Sequence, residues 1–480
     1  METQLPMLIT RSSLFTKFTN WKPVGALIMM TLLICGCATN FAAPKFVDPD
    51  NPYFESGNPG NRGYKQDEAQ QFIEFCVDLD NQDDRLKLEQ NHQPPDHNLS
   101  AHVREEWWDP VPIYDSRLSV AQDVNRYIHA PDKRNADDEH WAKVYNNIGE
   151  KADHVYSGKW DAQTLAKDPK LNGFGPWQNA WTLYKGRGPY TGAYAVVIRG
   201  TVFSNIPNVG EDLILNPVDA QNFLSAEVNL AGVTGTSLHG GFAHATFTLM
   251  LDDRYGVLHI LKEKKVLEAA MTQDTPLYII GHSQGAAMAT MAHAFMHYAL
   301  RRDNSHNPEV FSMKDAKYRL KSYGFAQPKP GNYTFAADFA RITQKSDNAI
   351  VINNAIDPVP KLPLTLQSMA DLDNDVPSDI WWEKLYRGVA SVGARLRHIA
   401  AKDGEKFVRD HAKGYGYFYN RDNLMPIGGE KVGDSWDFVP AGRVIMVYGS
   451  AQHPEDPFFQ HHATTYRDLI STQLPPDKIP

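Results

Sequence analysis

The sequence predicts an α/β fold in which a mostly parallel central sheet is flanked by helices, with an N-terminal helical extension and a helical insertion before the last strand. Three observations carry that expectation. From Tyr194 onward, short apolar runs (AYAVVIRG, LYIIGHS, RLKSYGFAQ, AIVINN and GRVIMVYG) alternate with helical stretches. Continuous runs of this kind suit strands covered on both faces, and the stretches between them suit crossovers joining parallel strands. One run ends in GHSQG and passes at once into the small-residue segment AAMATMAHAF. Before about residue 188 the pattern changes to helical segments separated by Pro-containing breaks.

A chain of 480 residues, 42% hydrophobic and 22% charged, can bury a large core and has room for one big domain with additions, or two domains. Its formal net charge of -9 gives no chain-wide basic field for phosphates, which argues against nucleic acid as a partner. No HExxH or similar ligand spacing is present, and nothing in the sequence calls for a metal or cofactor.

Residues 1–36 read as an export leader. Arg11, Lys17 and Lys22 precede an apolar run from Val24 to Ile34, too short to span a bilayer comfortably but suited to a signal core. The run ends in ICGC, with Gly36 immediately before Cys37. This resembles a bacterial lipoprotein signal, which implies cleavage before Cys37 and lipidation of that cysteine. By the same resemblance, Ala38 after the anchor points to the outer membrane of a Gram-negative bacterium. An uncleaved signal anchor and a plain secretory signal are the alternatives. After processing only Cys76 accompanies Cys37, so no disulfide framework is expected.

Residues 37–65, rich in Pro, Asn, Gly and Asp, read as a flexible tether. Residues 66–187 read as a helical extension, beginning with DEAQQFIEFCVDL, where Phe72, Phe75 and Leu79 share a face. Its tryptophans, Trp107, Trp108, Trp141, Trp160, Trp177 and Trp181, suit a core more than a substrate groove. Residues 188–475 form the α/β domain, with an insertion at about 364–440. Within that insertion Trp381, Leu385, Val389, Val392, Leu396 and Ile399 recur at helical spacing, as for a helix packed on the domain or lying on a membrane surface.

The chemistry centres on LYIIGHSQGAAMATMAHAF, residues 277–295. A buried strand ending at Gly281, a serine at a sharp turn and a helix starting at once make a nucleophile elbow with Ser283 at its tip. Gly281 and Gly285 let strand and helix approach without a Cβ between them. The helix N-terminus offers the Gln284 backbone N–H to a developing oxyanion. In AYAVVIRGT the strand ends in Arg-Gly-Thr, where the Thr201 amide is a second candidate donor. Asp357 follows AIVINN in the loop IDPVPKLP, at the carboxyl end of a strand, where the acid of a catalytic triad belongs. Asp338, Asp347 and Asp371 to Asp375 are rivals by spacing. The histidine of such a triad comes last along the chain, which leaves His453, His461 and His462.

Six segments in order, VIRGT (197–201), HGGF (239–242), GHSQGAA (281–287), GFAQPKPGN (324–332), NNAIDPVPKLP (353–363) and HHATTY (461–466), resemble the class 3 lipase family over about residues 190–470. The resemblance implies an α/β-hydrolase fold and a serine carboxylic ester hydrolase acting on glycerolipid acyl esters. It assigns Ser283 and Asp357 to the triad and Thr201 to the oxyanion hole. It favours His461, which stands five residues before Tyr466 as in many relatives, with His462 as the shifted alternative. Phospholipase A1, short-chain esterase and acyltransferase activities would use the same residues; a noncatalytic surface lipoprotein is the rival from another class. Residues 202–223 lie where relatives carry a lid and read equally as a loop and strand. His239 of HGGF has no evident chemical role and reads as structural.

Overall fold

The computed structural model describes residues 63–80, 105–129, 173–175, 177–201, 217–220, 236–299, 316–343, 348–363, 438–449, 456 and 458–474. All of them belong to one compact unit, Val47–Pro480. Cys37, the 37–62 part of the tether, Trp141, Trp160, His453 and nearly all of the insertion at 364–440 lie outside the described residues. So does most of the segment considered as a lid.

The five apolar runs form strands β3 (Tyr194–Ile198), β6 (Thr275–His282), β7 (Tyr318–Phe325), β9 (Ala349–Asn354) and β11 (Arg443–Val447). They pair in that order, every pairing parallel. The fold is the α/β-hydrolase fold expected from the sequence. Two further strands, β1 (Tyr114–Asp115) and β2 (Trp181–Lys185), extend the β3 edge antiparallel.

These two strands lie inside the segment expected as a helical extension, so the central sheet reaches back past the boundary drawn at 187. The reason is a short period-2 pattern in WTLYK: Trp181 and Leu183 enter the core on one face of the sheet, and Tyr184 the core on the other. Five residues give too little pattern to stand out beside the helical stretches around them. A second, smaller sheet holds β10 (Phe438–Val439), β8 (Gly331–Asn332), β5 (Ser237–His239) and β4 (Pro217–Asp219).

The strand alternation sorts side chains into two cores. Val196, Ile198, Leu277 and Ile279 face one side and pack with helices α3 (Gly240–Leu251), α4 (Val257–Glu263), α5 (Val266–Thr272), α6 (Gln284–Ala299) and α7 (Tyr333–Thr343). Ala195, Val197, Tyr278 and Ile280 face the other, covered by α1 (Gln66–Asp80) and α8 (Ala463–Gln473). Helix α2 (Ser116–His129) packs Val120, Ala121 and Val124 into the first core. The expected apolar face of α1 is present: Phe72, Phe75 and Leu79 are fully buried, each contributing about 1.5–3 kcal/mol of transfer free energy. Phe75 stacks on Tyr184 at 4.0 Å and Phe72 meets Trp108 edge-on. Trp108, Trp177 and Trp181 are core residues. His239 is structural, as expected: its Nδ1 accepts the Phe242 N–H at 3.3 Å and caps helix α3.

Candidate active site

Because β3, β6, β9 and β11 run parallel, the loops leaving them gather at one edge of the sheet, and Ser283, Gln284, Thr201, Asp357 and His461 sit there. Ser283 lies between β6 and α6 with φ of 57°, a left-handed conformation unusual for a residue with a Cβ. Its N–H donates to the Phe325 carbonyl of β7 at 2.8 Å, and its carbonyl accepts the Ala286 N–H at 2.9 Å. These bonds hold a turn that would otherwise relax. Both glycines are sterically required. A Cβ on Gly281 would lie 2.1 Å from the Gly285 carbonyl oxygen, and one on Gly285 would lie 2.3 Å from that of Ile198.

Three side chains form one hydrogen-bonded chain at this edge. His461 Nε2 lies 2.8 Å from Ser283 Oγ, and His461 Nδ1 lies 2.9 Å from Asp357 Oδ2. All three residues are buried. Since the carboxylate only accepts, Nδ1 carries the proton and Nε2 accepts from the serine hydroxyl. Burial lowers the pKa of His461 below the ordinary imidazole value; Asp357 opposes this, while His282 and His462 add to it. The imidazole therefore stays neutral to lower pH than a free one.

Asp357 is fixed on both oxygens. Oδ1 accepts the Val359 N–H at 2.9 Å, an Asx-type turn in the IDPVPKLP loop, and Oδ2 accepts the Tyr466 hydroxyl at 2.8 Å. The Tyr466 oxygen in turn accepts the Asn354 N–H at 2.8 Å. Asn354 also ties the neighbouring loops together: its amide nitrogen donates to Gln460 Oε1 at 2.8 Å and its Oδ1 accepts the Gly449 N–H at 2.9 Å. The end of β9, the end of β11 and the histidine loop are thus joined.

The rival candidates lie elsewhere. His462 faces away, its Nε2 2.8 Å from Asp456 Oδ2. Asp338 binds Tyr298 and Arg341 on α6 and α7. Asp347 and Asp371 to Asp375 are outside the described residues, as is His453. Thr201 follows β3 and stands beside the elbow, its hydroxyl donating to Gln284 Oε1 at 3.0 Å. Gln284 opens α6, so its N–H has no acceptor within the helix and is oriented with the dipole's positive end.

Sequence reasoning did not single out Asn354, Asp80 or His282 as contributors, and used Tyr466 only as a spacing mark. Tyr466 and Asn354 lie inside the motifs HHATTY and NNAIDPVPKLP, so those motifs were the available signal. His282 occupies the variable position of GHSQG. Asp80 lies 202 residues before its partner His282, and no local pattern announces it.

Fold and edge define the α/β-hydrolase class: a parallel sheet with a serine elbow, a carboxylate after a later strand and a histidine after the last. Within that class, residues 195–367 match the family model described as Lipase (class 3), in agreement with the resemblance carried by the sequence motifs. Solved structures similar to the chain include a triacylglycerol lipase with a serine protease triad at its catalytic centre, 23% identical over 39% of this chain and 57% of that one, with a TM-score of 0.26. The Rhizomucor miehei lipase in its propeptide complex is 21% identical over 39% of this chain and 49% of its own, with a TM-score of 0.26. Lipase II from Rhizopus niveus is 17% identical over 51% and 76%, also with a TM-score of 0.26. The chain spans about half the length of the first two. No curated protein sequence matches it.

Proposed function

We propose that the protein is a serine carboxylic ester hydrolase of lipase type, cleaving acyl esters of glycerolipids through an acyl-enzyme on Ser283. The single observation that carries this reading is the continuous Ser283–His461–Asp357 hydrogen-bond chain at the elbow. In the reaction, His461 Nε2 takes the Ser283 proton as Oγ attacks the ester carbonyl carbon. The carbonyl electron pair moves onto oxygen, where the Gln284 and Thr201 N–H groups receive it; one such donor accounts for about 3 kcal/mol of barrier lowering. His461 then hands its proton to the departing alcohol oxygen, leaving the acyl group on Ser283. Water, deprotonated by the same nitrogen, attacks the acyl carbon, and the serine leaves with the proton as the free acid departs. Asp357, held by Tyr466 and Val359, keeps the proton on Nδ1 and stabilises the imidazolium that forms twice per cycle.

Lipid anchoring through Cys37 and an outer-membrane location complete the proposal, on the strength of the leader and the ICGC segment. Hydrolysis of p-nitrophenyl esters of increasing chain length, with and without phospholipid vesicles, tests it against Ser283→Ala. Activity that survives Ser283→Ala excludes the mechanism, and an inactive parent favours a noncatalytic lipoprotein. A preference for short soluble esters replaces the lipase reading with an esterase; release of fatty acid from the sn-1 position of phospholipid replaces it with a phospholipase A1. Release of the protein from membranes by Cys37→Ser is the outcome expected of the anchor, and retention excludes it.

A further inference from the structure

Helix α1 lies outside the family match, yet its last residue reaches the proposed catalytic chain from behind. Asp80 Oδ1 accepts the Gly200 N–H at 3.2 Å, one residue before Thr201. Asp80 Oδ2 lies 2.6 Å from His282 Nδ1, and His282 Nε2 lies 2.8 Å from the backbone carbonyl oxygen of His461. A carbonyl only accepts, so Nε2 carries a proton. An ionised carboxylate also only accepts, so the geometry calls for a second proton on Nδ1. The two imidazole rings lie 4.9 Å apart, centroid to centroid.

We propose that Asp80 and His282 form a positioning pair, in which a doubly protonated His282 held by Asp80 fixes the backbone of His461 and sets a positive charge behind its ring. The proposal rests on the reading of Ser283, His461 and Asp357 as a hydrolytic triad. It has a geometric part and an electrostatic part. One carboxylate anchors both the strand end leading to Thr201 and, through His282, the backbone of the base, so the oxyanion donor and the proton acceptor share a footing. A fixed cation beside His461 disfavours a second one, which keeps the base unprotonated at rest.

The groups facing the pair come from four parts of the fold. His282 meets Asp80 from α1, Asp357 from the loop after β9, His461 from the last loop and the edge of Tyr466 from α8. Burial opposes charge on His282, but the Asp80 hydrogen bond and charge, the His461 carbonyl and Asp357 outweigh it and raise its pKa. His461 faces Ser283, Asp357, His282 and His462. Cys76, one turn before Asp80, faces the same carboxylate; burial and that charge push its thiol pKa well up, so it stays neutral and supplies no competing cation or anion.

Asp80→Asn keeps the shape and removes the charge. Its expected effect is a fall in kcat of about tenfold with KM unchanged, because Asp80 touches no substrate. The acid limb of kcat/KM moves to higher pH, because His461 protonates more readily once the neighbouring cation is lost. Asp80→Glu restores part of both. His282→Gln retains an N–H donor for the His461 carbonyl and removes only the titrating ring, so it moves the limb with a smaller loss of kcat. Parent values of kcat and limb in Asp80→Asn overturn the proposal; if that variant does not fold, an unmoved limb in His282→Gln overturns it. Ring-nitrogen NMR of 15N-histidine protein, with His282→Gln giving the assignment, reads the pair without turnover. His282 doubly protonated at neutral pH in the parent and neutral in Asp80→Asn is the expected result, and an ordinary titration in the parent excludes the pair. An inactive parent with His282 protonated would overturn the hydrolase reading and leave the charged pair standing.

Discussion

The first turn and the last residue of helix α1 each bring a carboxylate to the same face of the central sheet. Glu68, 1% exposed, lies over β6 and β7 and accepts from the Tyr278 hydroxyl at 3.1 Å, the Tyr323 hydroxyl at 2.8 Å and the Lys321 ammonium at 2.5 Å. Asp80, partly exposed, sits at the carboxyl edge and holds Gly200 and His282. They stand twelve positions apart on the helix, about 18 Å. Glu68 satisfies buried donors in the body of the sheet, where the groups it meets do no chemistry. Asp80 meets groups one bond away from the proposed reaction. The acid at one position should therefore act on stability, and at the other on rate.

The largest expected effect fixes the rate end of that contrast. Ser283→Ala should lower kcat by about 10⁴–10⁶, with the unfolding midpoint held near that of the parent, measured by ester hydrolysis beside urea denaturation. A residual rate within tenfold of the parent would break the assignment. At the stability end, Glu68→Ala removes the carboxylate that Lys321 pairs with and the acceptor of two tyrosine hydroxyls. It should cost about 3–5 kcal/mol in urea unfolding, with kcat per folded, fluorophosphonate-titrated molecule unchanged. A lowered kcat with unaltered stability would merge the two regions and end the comparison.

Tyr466→Phe tests a residue that belongs to both ends, since its hydroxyl joins Asp357 to the Asn354 backbone. A loss of about 1–3 kcal/mol is expected, divided between unfolding free energy and kcat, because a buried N–H is left without its acceptor. A loss confined to unfolding would make Tyr466 part of the core alone. The smallest effect is in pH. Burial lowers the His461 pKa, and the base works only when neutral, so kcat/KM should fall as pH drops through a value below about 6.5 and hold on the neutral side. A limb above that value would show that Asp357 outweighs burial and the neighbouring imidazoles.

The sequence carried the parallel strands and the elbow because both are local patterns. Continuous apolar runs need few residues to declare a doubly covered strand, and the elbow is a five-residue pattern, in which Gly281 is required by Gly285 within the motif and Gly285 by Ile198 of the neighbouring strand. Spacing alone leaves Asp357 level with Asp338; the motif resemblance favours Asp357, and in the fold the Asp338 carboxylate is bound to Tyr298 and Arg341. His461 and His462 are adjacent, and one residue of rotation decides which reaches Ser283. The edge strand β2 was hidden by its brevity within a helical region, and Asp80 by distance, since a hydrogen bond across 202 residues leaves no periodicity to read.

The order of these residues along the chain also sets a schedule. Ser283 and its proposed base, His461, are separated by 178 residues, roughly 10–35 s of synthesis at 5–20 residues per second. During that interval the strand, the turn and its helix can form, but the serine hydroxyl has no acceptor for its proton. The proposed triad is complete only with α8, which brings Tyr466 against Asp357. On the proposed mechanism, a chain grown past Ser283 stays inactive until Tyr466 has been made.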